Sequence, residues 1–330
     1  MRWRRRSTVS AVVTLDDLLP RPDQSPRCAP FAREIGLDPG GSGLYVDLVL
    51  LVDVPLPWPK PVGTHPLLHG VMELTEGSPI RTRLLASVPP GAGHDDSNTI
   101  RVVGYRRHGG SGIRGCYAVP DHGALVELVG ALASDDEATA ARFVVREDDP
   151  PSSALLLCTQ GSHDVCCGSE GVRLAEQLDA ELSNDVELHR VSHTGGHRFA
   201  PTAMTLPDGR MWAYLERPQV AQLLERSASP DEVGRNSRGW WGAPVGFGQM
   251  AERAVFMRQG WEWSDEDRTV EVFESDDATS ARCVVTAGEQ AWDVEVVVAR
   301  TVPTIACRAA GGLPAKPGKE YRVTSVTERR

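Results

Sequence analysis

The sequence predicts an α/β protein whose central unit is strand-led, with a looser copy of that unit before it and a small α+β tail behind. Three observations carry this. Between 154 and 224 the apolar pattern switches in turn from strand to helix, back to strand, to a paired hairpin and to a closing helix. A less regular version of that order runs through the first 150 residues. After residue 227 the chain becomes rich in Gly and Trp, then alternates polar and apolar residues as an antiparallel sheet does. At 330 residues, with 41% apolar and 24% charged side chains, the chain can bury a sizeable core, which excludes a disordered chain or a fibre.

Residues 1–43 are rich in Pro, Gly and charge, with one short helix near 30–35. The start, Met1 through Ser7, has a leader-like run of arginines. The apolar stretch behind it spans only 11–15 before Asp16 and Asp17 interrupt, too short for an export signal, so a basic arm on a cytoplasmic protein is expected. The run 46–54 reads as a strand and ends in alternating prolines, Pro55 to Pro61, that neither a sheet nor a helix continues. A helix is expected over 67–85, strands over 100–105 and 116–119, an amphipathic helix over 125–132 and a short strand over 142–146. The segment 147–152 reads as a linker.

In the central unit 154–157 is a strand and 158–168 a loop. Residues 172–182 form a helix with Leu174, Leu178 and Leu182 on one face. A strand at 186–191 comes next, then a hairpin of 202–206 with 211–215 around Pro207, Asp208 and Gly209, then a helix from 220. This is the element order of a thioredoxin-like domain, and the first half then reads as a degenerate duplicate. The last part holds a Gly- and Trp-rich stretch at 234–248, a helix at 249–259 and strands at 270–273, 281–286 and 292–299. Units are therefore expected at 1–150, 151–230 and 231–330.

Composition bounds the partners. Lys plus Arg number 35 against 45 Asp plus Glu, a net charge of −10 that repels a phosphate backbone, so nucleic acid is not an expected partner. No run approaches the ~18 apolar residues of a membrane helix. Seven cysteines are an odd number and too few for a secreted disulfide framework, which directs attention to metal or redox chemistry in a reducing compartment.

That chemistry concentrates between 158 and 200. Cys158 is followed after eight residues by Cys167, with Cys166 beside it, and His193 and His197 flank Gly195 and Gly196. Cys158 closes one strand and His193 comes just after another. If those strands are parallel, their ends open on one sheet edge and two cysteines and two histidines converge there. The glycines forbid a helix between the histidines and let both imidazoles bend toward one metal. Other motifs carry less. His65 and His69 share the spacing without a cysteine or carboxylate nearby and read as a surface pair. The glycines of 110–115 spell a dinucleotide fingerprint, but residues 116–120 continue as strand into a proline, where the fingerprint needs a helix. Trp240 and Trp241 read as core.

The run from Leu157 through Cys167, joined to His193-Thr-Gly-Gly-His197 and Arg198-Phe-Ala200, resembles the sucrase/ferredoxin-like family. The resemblance is strong over 154–216 and fainter from Cys28–Ile35 to the segment 234–260. It implies a thioredoxin-like [2Fe-2S] ferredoxin in which Cys158, Cys167, His193 and His197 hold the cluster. Cys166, Gly195, Gly196 and Arg198 would surround it, and His163 stands where the family often has a basic residue. Two imidazoles in place of two thiolates leave the oxidised site neutral and raise its potential. The Rieske spacing is absent. Zinc on the same four residues, or a Cys166–Cys167 dithiol, remain the rival readings. The implied function is one-electron transfer or redox sensing with a separate, unidentified redox partner protein. A cluster-dependent reductase and a zinc-stabilised binding module are the alternatives. For Arg198 two roles stand open: lowering the pKa of the neighbouring imidazole, or pointing away and anchoring the following strand.

Overall fold

The computed structural model describes residues 15–89, 99–179, 181–183 and 185–329; the basic N-terminal arm lies outside them. α1 (Cys28–Glu34) precedes β1 (Leu48–Asp53), whose continuous apolar run is buried at its first five positions, as a strand covered on both faces must be. β2 (Thr82–Ser87) pairs with β1 in parallel, and β3 (Ile100–His108) pairs with it antiparallel on the other side. β4 (Ser111–Val119) closes a hairpin with β3, so the glycine motif at 110–115 sits at a turn and in a strand. Next comes α2 (His122–Ser134), with the Asp121 side chain accepting from the Ala124 amide, and then the single turn α3 (Glu137–Ala140).

The second half repeats the first. β5 (Ser153–Cys158) leads into α4 (Val172–Leu178) and β6 (Val186–Val191), which returns parallel to β5. β7 (Ala203–Leu206) lies antiparallel on the other side of β5 and forms a hairpin with β8 (Arg210–Trp212), after which comes α5 (Arg217–Leu224). The order β2-β1-β3-β4 thus recurs as β6-β5-β7-β8. The halves join edge to edge where β2 meets β6, Ser87 opposite Val191. After α6 (Pro230–Val233), β9 (Ser237–Trp240) adds to β8 and completes a nine-stranded mixed sheet. α7 (Phe247–Gln259) leads to a separate antiparallel sheet of four strands, β10 (Arg268–Glu274), β11 (Ser280–Ala287), β12 (Gln290–Thr304) and β13 (Lys316–Glu328). Among the described residues no helix is long and apolar enough to cross a membrane.

Three segments depart from expectation. The helix over 67–85 is absent. Short 3-10 turns occupy Pro66–Leu68 and Met72–Thr75, Gly70 and Gly77 take positive φ, and the apolar residues beyond join β2. A parallel partner for β1 outweighs local helical spacing. The strand over 142–146 is absent as well: a 3-10 turn covers Ala141–Phe143, and one bridge, Tyr117 to Val144, is all that pairs. Val144 and Val145 stay outside, Val144 at 54% exposure, while Phe143 packs partly against the core of the first half. β13 was not foreseen, because its polar, Pro- and Gly-interrupted start has no strand signature. Pairing with the long β12 forms it.

α7 lies between the two sheets, its Phe247, Met250, Val255 and Phe256 packing with Leu155 and Leu157 of β5 and with Val285 and Trp292 of the smaller sheet. At its centre Glu252 accepts from Arg210 of β8 at 2.7 and 2.9 Å, from Arg268 of β10 at 3.0 Å and from the Trp263 indole at 3.0 Å, all in the interior. Glu252→Gln leaves two guanidinium groups buried against one neutral partner and should lower the unfolding free energy by about 3–5 kcal/mol in a denaturant titration, whereas replacing all three charged residues with apolar ones of similar volume should recover most of that loss.

Candidate metal centre

The parallel register of β5 and β6 ends with Cys158 opposite Val191, so both strands leave the sheet at one edge. The Thr159 amide donates to the Val191 carbonyl at 3.0 Å and the Cys158 amide to the Thr202 carbonyl at 3.0 Å, which fixes the start of the loop. The loop then folds back on itself. The Gly168 amide donates to the Asp164 carbonyl at 3.0 Å, and a π-helical turn, Cys167–Gly171, starts α4. Gly171 faces the Cys158 carbonyl so closely that a Cβ there would lie 2.1 Å from the oxygen. The close approach requires glycine and brings Cys167 back over Cys158.

Cys158, Cys167 and His193 present donor atoms that all lie within 4.8 Å of one another. Both thiols are fully buried. His193 Nδ1 is buried without a hydrogen-bond partner, while its amide donates to Gln160 Oε1 at 3.1 Å and its carbonyl accepts from Arg83. The His163 ring stacks on His193 with centroids 3.7 Å apart. His197 is a neighbour and not a member of this group: its ring centroid is 5.8 Å from that of His193. Its Nδ1 lies 3.0 Å from Asp164 Oδ2 and 3.4 Å from Cys28 Sγ.

Cys166 is also separate. Its Sγ is 3.5 Å from Cys28 Sγ, and with Cys28, Asp164 and Cys307 it belongs to a second cluster of donors. Arg198 donates to Thr304 Oγ1 of β12, and not to the strand that follows it, with its guanidinium over the Phe199 ring. Gly195 and Gly196 take φ of +80° and +66°, the left-handed turn that separates the histidines. His65 and His69 lie apart, His65 Nδ1 accepting from the Leu67 amide. Trp240 and Trp241 are core residues.

The electrostatics favour anionic sulfur at Cys158. Cys167 donating to it, with His193 alongside, holds its thiol well below the usual range against the opposing effect of burial. Cys167, the donor in that pair and itself buried, is pushed well above. Burial, with His193 next to it, lowers His163 to about 4. Burial opposes ionisation of Asp164, yet the His197 imidazole beside it brings this carboxyl to about 2.

Two arginines near the site escaped sequence reasoning. Arg238 is buried against the Gly195–Gly196 turn, and its Nη1 has no hydrogen-bond partner. Burial lowers its pKa to about 10, with Cys158 and Cys167 opposing the shift. Arg83 is lowered by burial too, again opposed by Cys158. Both lie in short strands that hold other polar residues, Thr82 and Ser87 in β2 and Ser237 in β9, so no local pattern singles them out.

The turn gives a sharp test. A Cβ on Gly196 would lie 2.5 Å from Arg238 Nη2, whereas the nearest atom to one on Gly195 is 3.5 Å away. Arg238 cannot yield freely, because it donates to the carbonyl and hydroxyl of Ser42. Both alanine variants carry the left-handed strain of about 1–2 kcal/mol, but Gly196→Ala should melt clearly lower than Gly195→Ala in a thermal unfolding scan.

A profile of the sucrase/ferredoxin-like family matches residues 82–239. No curated protein and no solved structure matches the chain. The matched span runs from β2 to β9 and contains Cys158, Cys167, His193, His197, Arg83 and Arg238. Over these residues the chain is similar to the sucrase/ferredoxin-like family.

Proposed function

We propose that Cys158, Cys167, His193 and His197 hold a [2Fe-2S] cluster and that the protein carries single electrons to or from a separate redox protein, or senses redox state, in a reducing, cytoplasmic compartment. The observation that carries this reading is the convergence of two buried thiols and an imidazole whose buried Nδ1 has no partner. An orphaned buried nitrogen costs free energy that a metal bond would repay, so the residues fit such a group. When bound, the cluster supplies a one-electron couple, at a higher potential than a four-thiolate site.

The rest is done by the chain. Asp164 accepts from His197 Nδ1, which leaves Nε2 as the nitrogen free for a metal and sets the ring's orientation, as a carboxylate behind a ligating histidine commonly does. Arg238 and Arg83 place fixed positive charge beside Cys158 and favour its thiolate. His163 covers the outer face of His193 and limits water there. The order β6-β5-β7-β8, with its parallel pair, hairpin and closing helix, supports a thioredoxin-like reading of 151–230. The same order in β2-β1-β3-β4 supports a degenerate duplicate within 1–150, leaving 231–330 as the α+β region. All seven cysteines are free, which supports a reducing compartment.

Anaerobically purified protein should be reddish-brown and contain about two irons and two acid-labile sulfides per chain. Cys158→Ser, Cys167→Ser, His193→Ala and His197→Ala should each lose most of that iron, while Cys166→Ser keeps it. His197→Cys, adding a thiolate, should lower the reduction potential. Protein that takes up zinc but neither iron nor sulfide on reconstitution would overturn this reading.

A further inference from the structure

The second donor cluster draws on three distant parts of the chain. Cys28 comes from the first turn of α1, Asp164 and Cys166 from the loop after β5, and Cys307 from the loop between β12 and β13. Their donor atoms all lie within 4.8 Å of one another. Cys28 Sγ is 3.5 Å from Cys166 Sγ and 3.4 Å from Asp164 Oδ2. Two ligands of one tetrahedral zinc, at about 2.3 Å for sulfur and about 2.0 Å for oxygen, stand roughly 3.8 Å apart for two sulfurs and roughly 3.5 Å for sulfur and oxygen. The two separations from Cys28 are close to these values. A disulfide would use only two of the three thiols.

The backbone holds the three segments in place independently of the sulfurs. The Arg308 amide donates to the Pro26 carbonyl at 2.9 Å and the Gly311 amide to the Gln24 carbonyl at 2.7 Å, pinning the Cys307 loop to the approach of α1. The Cys166 amide donates to Asp164 Oδ1 at 2.8 Å. Cys28, Cys166 and Asp164 are buried, and Cys307 is half-buried on the solvent side, giving an ion a way in. Arg27 stands next to Cys166 with a buried, unpartnered Nε, while its Nη2 donates to Ser169 Oγ at 2.6 Å and pairs with Glu170 at 3.0 Å.

We propose that Cys28, Cys166, Cys307 and Asp164 bind one Zn²⁺ as a closed structural site of three sulfurs and one oxygen, stapling α1 and the β12–β13 loop to the loop that carries Cys167. Zinc is the ion that thiolate-rich tetrahedral sites favour, and its binding releases the protons of the three thiols. None of these four residues is a proposed cluster ligand, and Cys28 and Cys307 lie outside the span matched by the family profile. Asp164 joins the two sites, since one of its oxygens also accepts from His197.

The test is metal analysis of the full chain purified anaerobically from zinc-replete cells, with X-ray absorption at the zinc edge and iron measured separately. The expected result is about one zinc per chain, with a shell of three sulfurs near about 2.3 Å and one oxygen near about 2.0 Å. Cys28→Ser, Cys307→Ser and Cys166→Ser should each weaken zinc retention at least tenfold while leaving the iron content unchanged. A chelator should lower the melting temperature of the parent and not of Cys307→Ser. A shell of two sulfurs and two nitrogens would put the ion on the first group and overturn the proposal. So would a parent that remains zinc-free after anaerobic refilling, or one in which mass spectrometry finds Cys28 bonded to Cys166. Because the absorption spectrum is read on the parent, a variant that fails to fold does not blunt the test. Loss of iron with the sulfur-rich zinc shell intact would count against the cluster reading alone.

Discussion

β5 and β6 pair in parallel from Ser153 opposite Val186 to Cys158 opposite Val191, and strands that share a direction deliver both of their outgoing segments to one sheet edge. The Cys158 loop and the His193–His197 turn therefore begin side by side, although thirty-four residues separate Cys158 from His193. Everything else at the site elaborates that start. The Gly171 approach folds Cys167 back over Cys158, and the left-handed Gly195–Gly196 turn carries His197 to the Asp164 side. A register shift by one residue would move Cys158 to the opposite face and disperse the group.

That edge needs a rigid frame behind it, and the frame is held by charge as well as by apolar packing. Glu252, from the helix between the sheets, bridges an arginine of the large sheet and an arginine of the small one. An isolated buried carboxylate would be costly, but four hydrogen bonds from three donor side chains satisfy it, and the arrangement makes the position of α7 specific. The small sheet is thereby docked so that β12 ends near α1, with Arg198 donating to Thr304 and the Cys307 loop hydrogen-bonded to residues 24 and 26. The C-terminal region thus completes the surroundings of the cysteine loop.

Around Asp164 the donor groups form one electrostatic unit. Its carboxylate accepts from His197 on one side and from the Cys28 thiol on the other, and its low pKa keeps it charged at any physiological pH. Arg238 and Arg83 stand behind Cys158, and Arg27, paired with Glu170, stands beside Cys166, so cations gather at both sulfur-rich groups in a chain that is acidic as a whole. Local placement of charge, and not the net balance, sets the chemistry available here.

Periodicity and spacing were enough to read the strands and helices of the second half, the hairpin around Pro207–Gly209 and the meeting of Cys158, Cys167 and His193 (His197, expected with them, stands outside that group), because each depends on residues close in sequence or on the simple rule that parallel strand ends meet. They failed where a distant partner decides. The segment 67–85 became turns and β2 because β1 needed a neighbour, 142–146 found only one bridge, and β13 exists through pairing with β12. Arg83, Arg238, Cys28 and Cys307 lie far along the chain from the loops they serve, and no local pattern marks a side chain for a contact made across such separations. Residue chemistry and short-range pattern thus determined which groups could act. The tertiary structure alone decided which of them meet, since closing long loops is favourable only when the whole core that encloses them forms together.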